Sequence, residues 1–358
     1  MKQAQERYRG STVVATVAVL ILAMLAIPAC AGGDGEDSAS DGDGRTVLEV
    51  GYLPILPVAQ LFVIEGAGWA EDAGLDLRLT RFSDGPAMVQ AVASGELDVM
   101  YFGIGPAMVA RSRGQDIEVL ASAIIEQIAF IADEPLARLF GGSRSPEAAR
   151  DAFEAFYETE GRPVSIATFP AGSVPNTVLR YWLEEQLGIP DDLVEIVSMG
   201  SDQVQQALLT GRVDAASILE PTLTIVEERA PNMTVVARAS EMFPGQPGAV
   251  LAVRRDTREE HREAIDRLVE LHIRATEHLQ NEVTASAEYM SEFVGGGAVD
   301  LSTLERALES PSTNFTSDPA VIRESTARMQ DFQLRIGALS EAVDLDELFH
   351  TDVYDRVE

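Results

Sequence analysis

From residue 47 onward, short runs of β-branched and apolar residues alternate with stretches whose apolar positions recur at helical spacing. Such an alternation marks an α/β fold with largely parallel strands. Strand-type runs cover 47–52, 75–82, 97–102 and 117–125, and helical spacing covers 59–72, 86–94 and 106–113 between them. Gly74, Gly95 and Gly114 close these helices, since glycine takes the left-handed conformation of a C-terminal cap without penalty. A second series has strands at 164–167, 194–198, 213–219 and 234–238, with helices at 174–187, 202–210 and 221–228 stopped in part by Gly188 and Gly211. After a strand at 249–253 the remainder reads mostly as helix, including a long one over 258–279.

The two series echo each other. Gln90-Ala91-Val92-Ala93-Ser94-Gly95-Glu96-Leu97-Asp98 aligns without gaps on Gln206-Ala207-Leu208-Leu209-Thr210-Gly211-Arg212-Val213-Asp214, with four of nine positions identical and three conservative. Each is a helix, a glycine cap and a strand opened by Asp, and Pro106 and Pro221 follow at nearly the same offset. A repeat of this kind predicts two lobes of like topology. The runs at 128–132 and 249–253 lack a helical partner of their own and stand where the chain would pass between lobes. The expected layout is a first lobe of 46–132 with 249–358, to which the C-terminal helices return, and a second lobe of 133–248. Two hinge crossings join them.

The N-terminus bears on compartment. Lys2, Arg7 and Arg9 precede an uncharged apolar run, 13–27, that ends in small residues, the pattern of a secretory signal over 1–29. Ile27-Pro28-Ala29-Cys30 resembles a bacterial lipobox, in which Cys30 would be acylated and become the first mature residue. The chain holds one cysteine, so a disulfide framework is excluded. The Gly-, Asp- and Ser-rich stretch 30–45 has too few apolar groups to fold and reads as a tether. The formal net charge of −31 excludes nucleic acid as a partner, because such a surface repels phosphate.

Ligands of open α/β sheets bind where strand ends lead into helix amino ends, which offer unpaired N–H donors and partial positive charge. In the first lobe these loops hold Pro54 and Ile55, then Ser83 and Gly85, then Phe102, Gly103 and Gly105. In the second lobe they hold Ser173 and Asn176, then Ser201, then Glu220. These residues form the expected ligand-binding set. Glu220 has two readings, an acceptor for a ligand amine or amide and a cap for the helix after it. Catalysis is not expected. The four histidines all follow the second crossing, with His261, His272 and His278 on or beside a charged helix expected to be solvated, and no GxGxxG, Walker A or HExxH pattern occurs in the mature chain. No cofactor or metal is expected.

Several stretches resemble the nitrate/sulfonate/taurine-type solute-binding proteins of ABC transporters. They are Val50-Gly51-Tyr52-Leu53-Pro54-Ile55, Phe82-Ser83-Asp84-Gly85-Pro86-Ala87, Ala93-Ser94-Gly95-Glu96-Leu97-Asp98-Val99 and Tyr101-Phe102-Gly103-Ile104-Gly105-Pro106-Ala107. Leu209-Thr210-Gly211-Arg212-Val213-Asp214-Ala215-Ala216 and Glu220-Pro221 follow in the same order. The resemblance implies a type II periplasmic-binding-protein fold; with the signal and Cys30, the expectation is a monomer held at the extracytoplasmic membrane face by its lipid. It also implies a small-molecule ligand, anionic and nitrate-, sulfonate- or taurine-like, passed to a permease and an ATPase. Alternatives on the same fold are a thiamine-pyrimidine-precursor binder or biosynthetic protein and a ligand-sensing subunit. Two departures stand out: Leu219 where many relatives have Trp, and a helical insertion at 143–161.

Self-repulsion at this charge is screened by salt. The acidic surface therefore suits a halophilic or salt-tolerant source: the thermal midpoint is expected to rise steeply between low and molar NaCl, and a midpoint independent of salt would overturn that reading.

Overall fold

The computed structural model describes residues 44–294 and 297–358; the expected signal, Cys30 and nearly all of the tether lie outside the described residues. Two five-stranded sheets organise the chain. The first has the order β2–β1–β3–β11–β4, from β1 (Thr46–Tyr52), β2 (Leu75–Arg81), β3 (Val99–Gly103), β4 (Ile117–Ser122) and β11 (Ala249–Arg254). The second has the order β10–β6–β9–β7–β8, from β6 (Ala129–Asp133), β7 (Val164–Thr168), β8 (Val194–Ser198), β9 (Ala215–Ile218) and β10 (Met233–Arg238). A short antiparallel pair, β5 (Ile124–Ile125) with β12 (Asn314–Phe315), lies beside the first crossing.

Both sheets follow one plan. β1 pairs in parallel with β2 and β3, and β7 with β8 and β9. Into each sheet an antiparallel strand enters from the other half of the chain: β11 between β3 and β4, β6 between β9 and β10. The sequence repeat has a physical basis here. Asp98 accepts from the Glu49 amide at 2.9 Å, and Asp214 accepts from the Ser165 amide at 2.8 Å. Each aspartate thus ties the start of its strand to the neighbouring strand.

Helices α1 (Ala59–Gly66), α2 (Trp69–Asp72), α3 (Gly85–Ser94) and α4 (Ile104–Ser112) connect the first sheet. The second carries α5 (Glu134–Phe140), α6 (Pro146–Glu160), α7 (Val174–Tyr181), α8 (Ser201–Leu209), α9 (Thr222–Arg229) and α10 (Ala239–Met242). The chain ends in α11 (Arg255–Glu260), α12 (Arg262–Asn281), α13 (Val283–Met290), α14 (Leu301–Leu308), α15 (Arg323–Arg335), α16 (Leu345–Leu348) and α17 (Thr351–Val357). The helix at 143–161 is α6, opened by a Ser145 cap and closed by Gly161. Its Phe153 packs among Phe130, Phe140 and Trp182 on the outer side of the second sheet.

The structure departs from expectation at several points. The helix at 59–72 breaks at Gly68, whose φ of 72° no helix accommodates. The run at 117–125 divides into β4 and β5, and the helix at 258–279 begins earlier and is interrupted at His261. The strand at 128–132, read as the end of the first lobe, lies inside the second sheet as β6, because its backbone groups pair with β9 and β10. The C-terminal helices do not all return to the first lobe. α12, α16 and α17 pack on β4, but α14 also meets α9, and α15 touches both α4 and α7.

His272 is fully buried rather than solvated. It shares one stripe of α12 with Ile265, Leu268, Val269 and Ala275, so the charged composition of the helix concealed an inward face. One ring nitrogen, Nε2, lies 2.7 Å from the Ser122 carbonyl oxygen and the other 3.3 Å from the Tyr101 hydroxyl. Burial lowers its pKa to about 4, so the ring is neutral at pH 7.

The run at 249–253, read as a crossing, is β11 within the first sheet; the connecting segments are 123–128 and 243–248, and they lie against each other. The Glu126 amide donates to the Gln246 carbonyl at 2.9 Å, and Ile125 bridges to Pro247. A Cβ on Gly248 would stand 2.3 Å from the Ile124 carbonyl oxygen, a backbone atom that cannot swing away. Gly248→Ala is therefore expected to destabilise the protein by about 1–3 kcal/mol, the usual cost of overpacking. Denaturant unfolding that leaves the midpoint unchanged would refute this.

Candidate functional site

The amino ends of three helices converge on one small cavity between the sheets. Gly85 opens α3, Gly103 and Pro106 belong to the start of α4, and Ser173, Val174 and Pro175 to that of α7. Leu53, Ile55, Gln127, Phe169, Leu219 and Ala249 complete the wall, and none of the lining residues is charged. The three starts are not equivalent. Asp84 caps α3 through a 2.9 Å bond from the Ala87 amide, so a carboxylate already offsets that end. The cap residue of α4, Gly103, has no side chain to offer, and Ser173 accepts from the Asn176 amide at a long 3.4 Å. Neither α4 nor α7 has a carboxylate at its start, although the first amide of α4, that of Ile104, donates to the Gly248 carbonyl at 2.9 Å.

The inner cavity measures about 20 Å³, room for roughly one water-sized group. The lobes are closed on it. The Leu56 amide donates to the Glu220 carbonyl at 3.2 Å, and Gln333 on α15 donates to the Thr177 hydroxyl at 2.8 Å. A Cβ on Gly105 would stand 2.7 Å from the Gly172 carbonyl oxygen. Any larger guest requires the lobes to part.

Outside this cavity lies a wider cleft of about 480 Å³, walled by Pro54, Arg81, Phe82, Ser83 and Asp84 on one side and Gly200, Ser201, Asp202 and Gln203 on the other. Arg81 reaches across it to Asp202 at 3.2 Å, but both partners are largely exposed and the pair adds little stability. Ser83 donates to Asp84 at 2.9 Å. A larger groove of about 600 Å³ lies on the outer face between α5 and β10. Among the described residues, the buried polar atoms that lack a partner include none from that groove, whereas Gln127 of the inner cavity is one of them. That difference favours the interlobe cavity as the site.

The expected set distributes as follows. Ile55, Gly85, Gly103 and Ser173 line the inner cavity, and Pro54, Ser83 and Ser201 line the wider cleft. Gly105 sits at the interlobe contact. Asn176 is buried in the first turn of α7 with Oδ1 unpartnered. Phe102 lines neither space; it is buried in β3 opposite Val250. Phe169 and Leu219 stand in loops that the sequence marks, and Val174 and Pro175 in the helix start that follows one, whereas Gln127 carries only a faint signal, a polar residue beside Glu126 interrupting an apolar run.

Residues 41–295 match the model of the NMT1-like family. The chain belongs to that family. A Bacillus subtilis protein named for binding aliphatic sulfonates is 23% identical over 336 residues, 92% of this chain and 93% of its own. The ligand-binding component of an ABC-type import system from Staphylococcus aureus superposes with a TM-score of 0.70 at 18% identity, over 87% of this chain and 99% of that one. The periplasmic nitrate-binding protein NrtA from Synechocystis gives 0.71 at 13% identity, over 87% and 88%. The architecture is the two-lobed periplasmic-binding-protein fold. The relatives named here are binding proteins, one of them the ligand-binding component of an ABC-type import system. Among the described residues no helix is long and apolar enough to cross a membrane.

Glu220 stands next to Leu219 of the cavity wall and is 1% exposed. One carboxylate oxygen accepts from the Thr224 amide at 3.0 Å, the capping role, while Oε1 has no partner. Burial pushes this carboxyl above its usual range, against the pull of Ser310 and Thr224. An acid so raised holds its proton more tightly folded than unfolded, so stability falls as pH climbs above the ordinary value of 4.5. Glu220→Gln is expected to exceed the wild type in thermal stability at pH 8, with the gap closing toward pH 4. A gap that ignores pH would overturn this.

Proposed function

We propose that the chain is the lipid-anchored, extracytoplasmic solute-binding component of an ABC importer, closing as a monomer on a small anion of the nitrate, sulfonate or taurine kind. The observation that carries this reading is the convergence of helix amino ends from both sheets on one uncharged cavity. Such ends bind anions without a basic side chain. Closure removes water, so the partial charges of α4 and α7 act more strongly on the guest than in the open cleft. The moving bodies are the lobes 46–132 with 249–358 and 133–248, with the strand at 129–133 reassigned to the second. Cys30 carries the acyl group, and the stretch 30–45 gives the reach to a permease and its ATPase. Relatives named for sulfonate and nitrate support the ligand class.

A neutral aminopyrimidine is a second reading, favoured by the Phe169 ring and the Gln127 amide in a wall without charge. One screen separates the two. Nitrate, methanesulfonate, taurine, bicarbonate and an aminopyrimidine are tested by thermal shift in high salt. A true ligand at a hundred times its Kd stabilises by about 2.7 kcal/mol, a rise of roughly 5 °C or more. Ser173→Ala should weaken that shift while Ser83→Ala, farther out, weakens it less. No shift with any of the five sinks the proposal, and membrane retention of a Cys30→Ala chain sinks the anchor.

A further inference from the structure

Gln127 lies in the first crossing, between β5 and β6, and is only 2% exposed. It lines the inner cavity, and its side-chain Oε1 has no hydrogen-bond partner. Its main chain is fastened to the other crossing by the Gln127 amide, which donates to Gln246 Oε1 at 2.9 Å; next to it the Gly245 amide donates to the Glu126 side chain at 2.8 Å. Gly248 presses from the same side, since a Cβ there would stand 3.0 Å from Gln127 Oε1. Gln246 provides the contrast. It too is fully buried, but its amide is used at both ends, by the Gln127 amide and by the Pro247 carbonyl. Gln246 therefore explains the joint, and the Gln127 side chain is left over.

When the lobes part, bulk water can reach that amide; when they close without a guest, its oxygen has no protein partner and faces a cavity with room for a single water-sized group. Burying one unsatisfied polar group costs a factor of roughly five to a hundred in the equilibrium that buries it. We infer that Gln127 makes closure conditional on a ligand. Its amide meets a hydrogen-bonding group at the crossing end of the bound molecule and resists closure on an empty cleft. This rests on the cleft reading above. The effect follows from differential stability of two states, as any ligand-linked closure must.

The test places a spin-label pair, one label on each lobe of the full chain, and measures the interlobe distance without added solute. Gln127→Leu and Gln127→Met, the second keeping an unbranched chain should the first fold poorly, are expected to raise the closed-to-open ratio on the order of tenfold. The same variants should lose affinity by a similar factor in titrations with nitrate, methanesulfonate or taurine. A purely structural glutamine would not move the two readouts in opposite directions. An unchanged ratio in both variants, or a wild type fully closed without solute, overturns the inference. If none of the three solutes closes the wild type, the ligand reading fails, while the solute-free comparison still decides the role of Gln127.

Discussion

The close contact between the two crossings is the constraint on which the rest of the molecule depends. Gly248 lies so near the Ile124 carbonyl that no side chain fits, and Glu126, Gln127, Gly245 and Gln246 bind the two strands of chain into one joint. From that joint β6 runs into one sheet and β11 into the other, each antiparallel to its neighbours. Two halves of like topology are thereby set with the starts of α4 and α7 facing a shared space. α15, touching both α4 and α7, adds Gln333 as a further tie.

A molecule with a formal charge of −31 encloses, between its two sheets, a cavity whose wall bears no charge at all. The two facts are compatible because helix dipoles act within about a turn, while the acidic surface is screened over a Debye length. Asp84 and Glu220, each adjacent in the chain to a cavity residue, are both engaged by backbone amides, which holds them as caps.

Much of the architecture was legible because it rests on local rules. Gly95 and Gly211 announce helix ends by their left-handed backbone, and Asp98 and Asp214 announce strand starts by bonding the adjacent strand. The loops around Ile55, Gly85, Gly103 and Ser173 were visible because strand ends must turn into helices with Gly, Pro and Ser there. Phe102 was misassigned since alternation along β3 decides which neighbour faces the cavity, and its pairing with β11 comes from residues about 150 positions away. His272 was misjudged because composition hides which stripe of a helix turns inward.

By itself the sequence determined the order of elements, the duplication and the loops that serve as strand tips, since each follows from residue propensities and short-range spacing. Tertiary structure alone decided that β6 joins the second sheet, that α14 and α15 bridge the lobes, and that Gln127 meets the cavity. Those outcomes depend on contacts between residues far apart in the chain, and no local pattern encodes which distant surface a side chain will find.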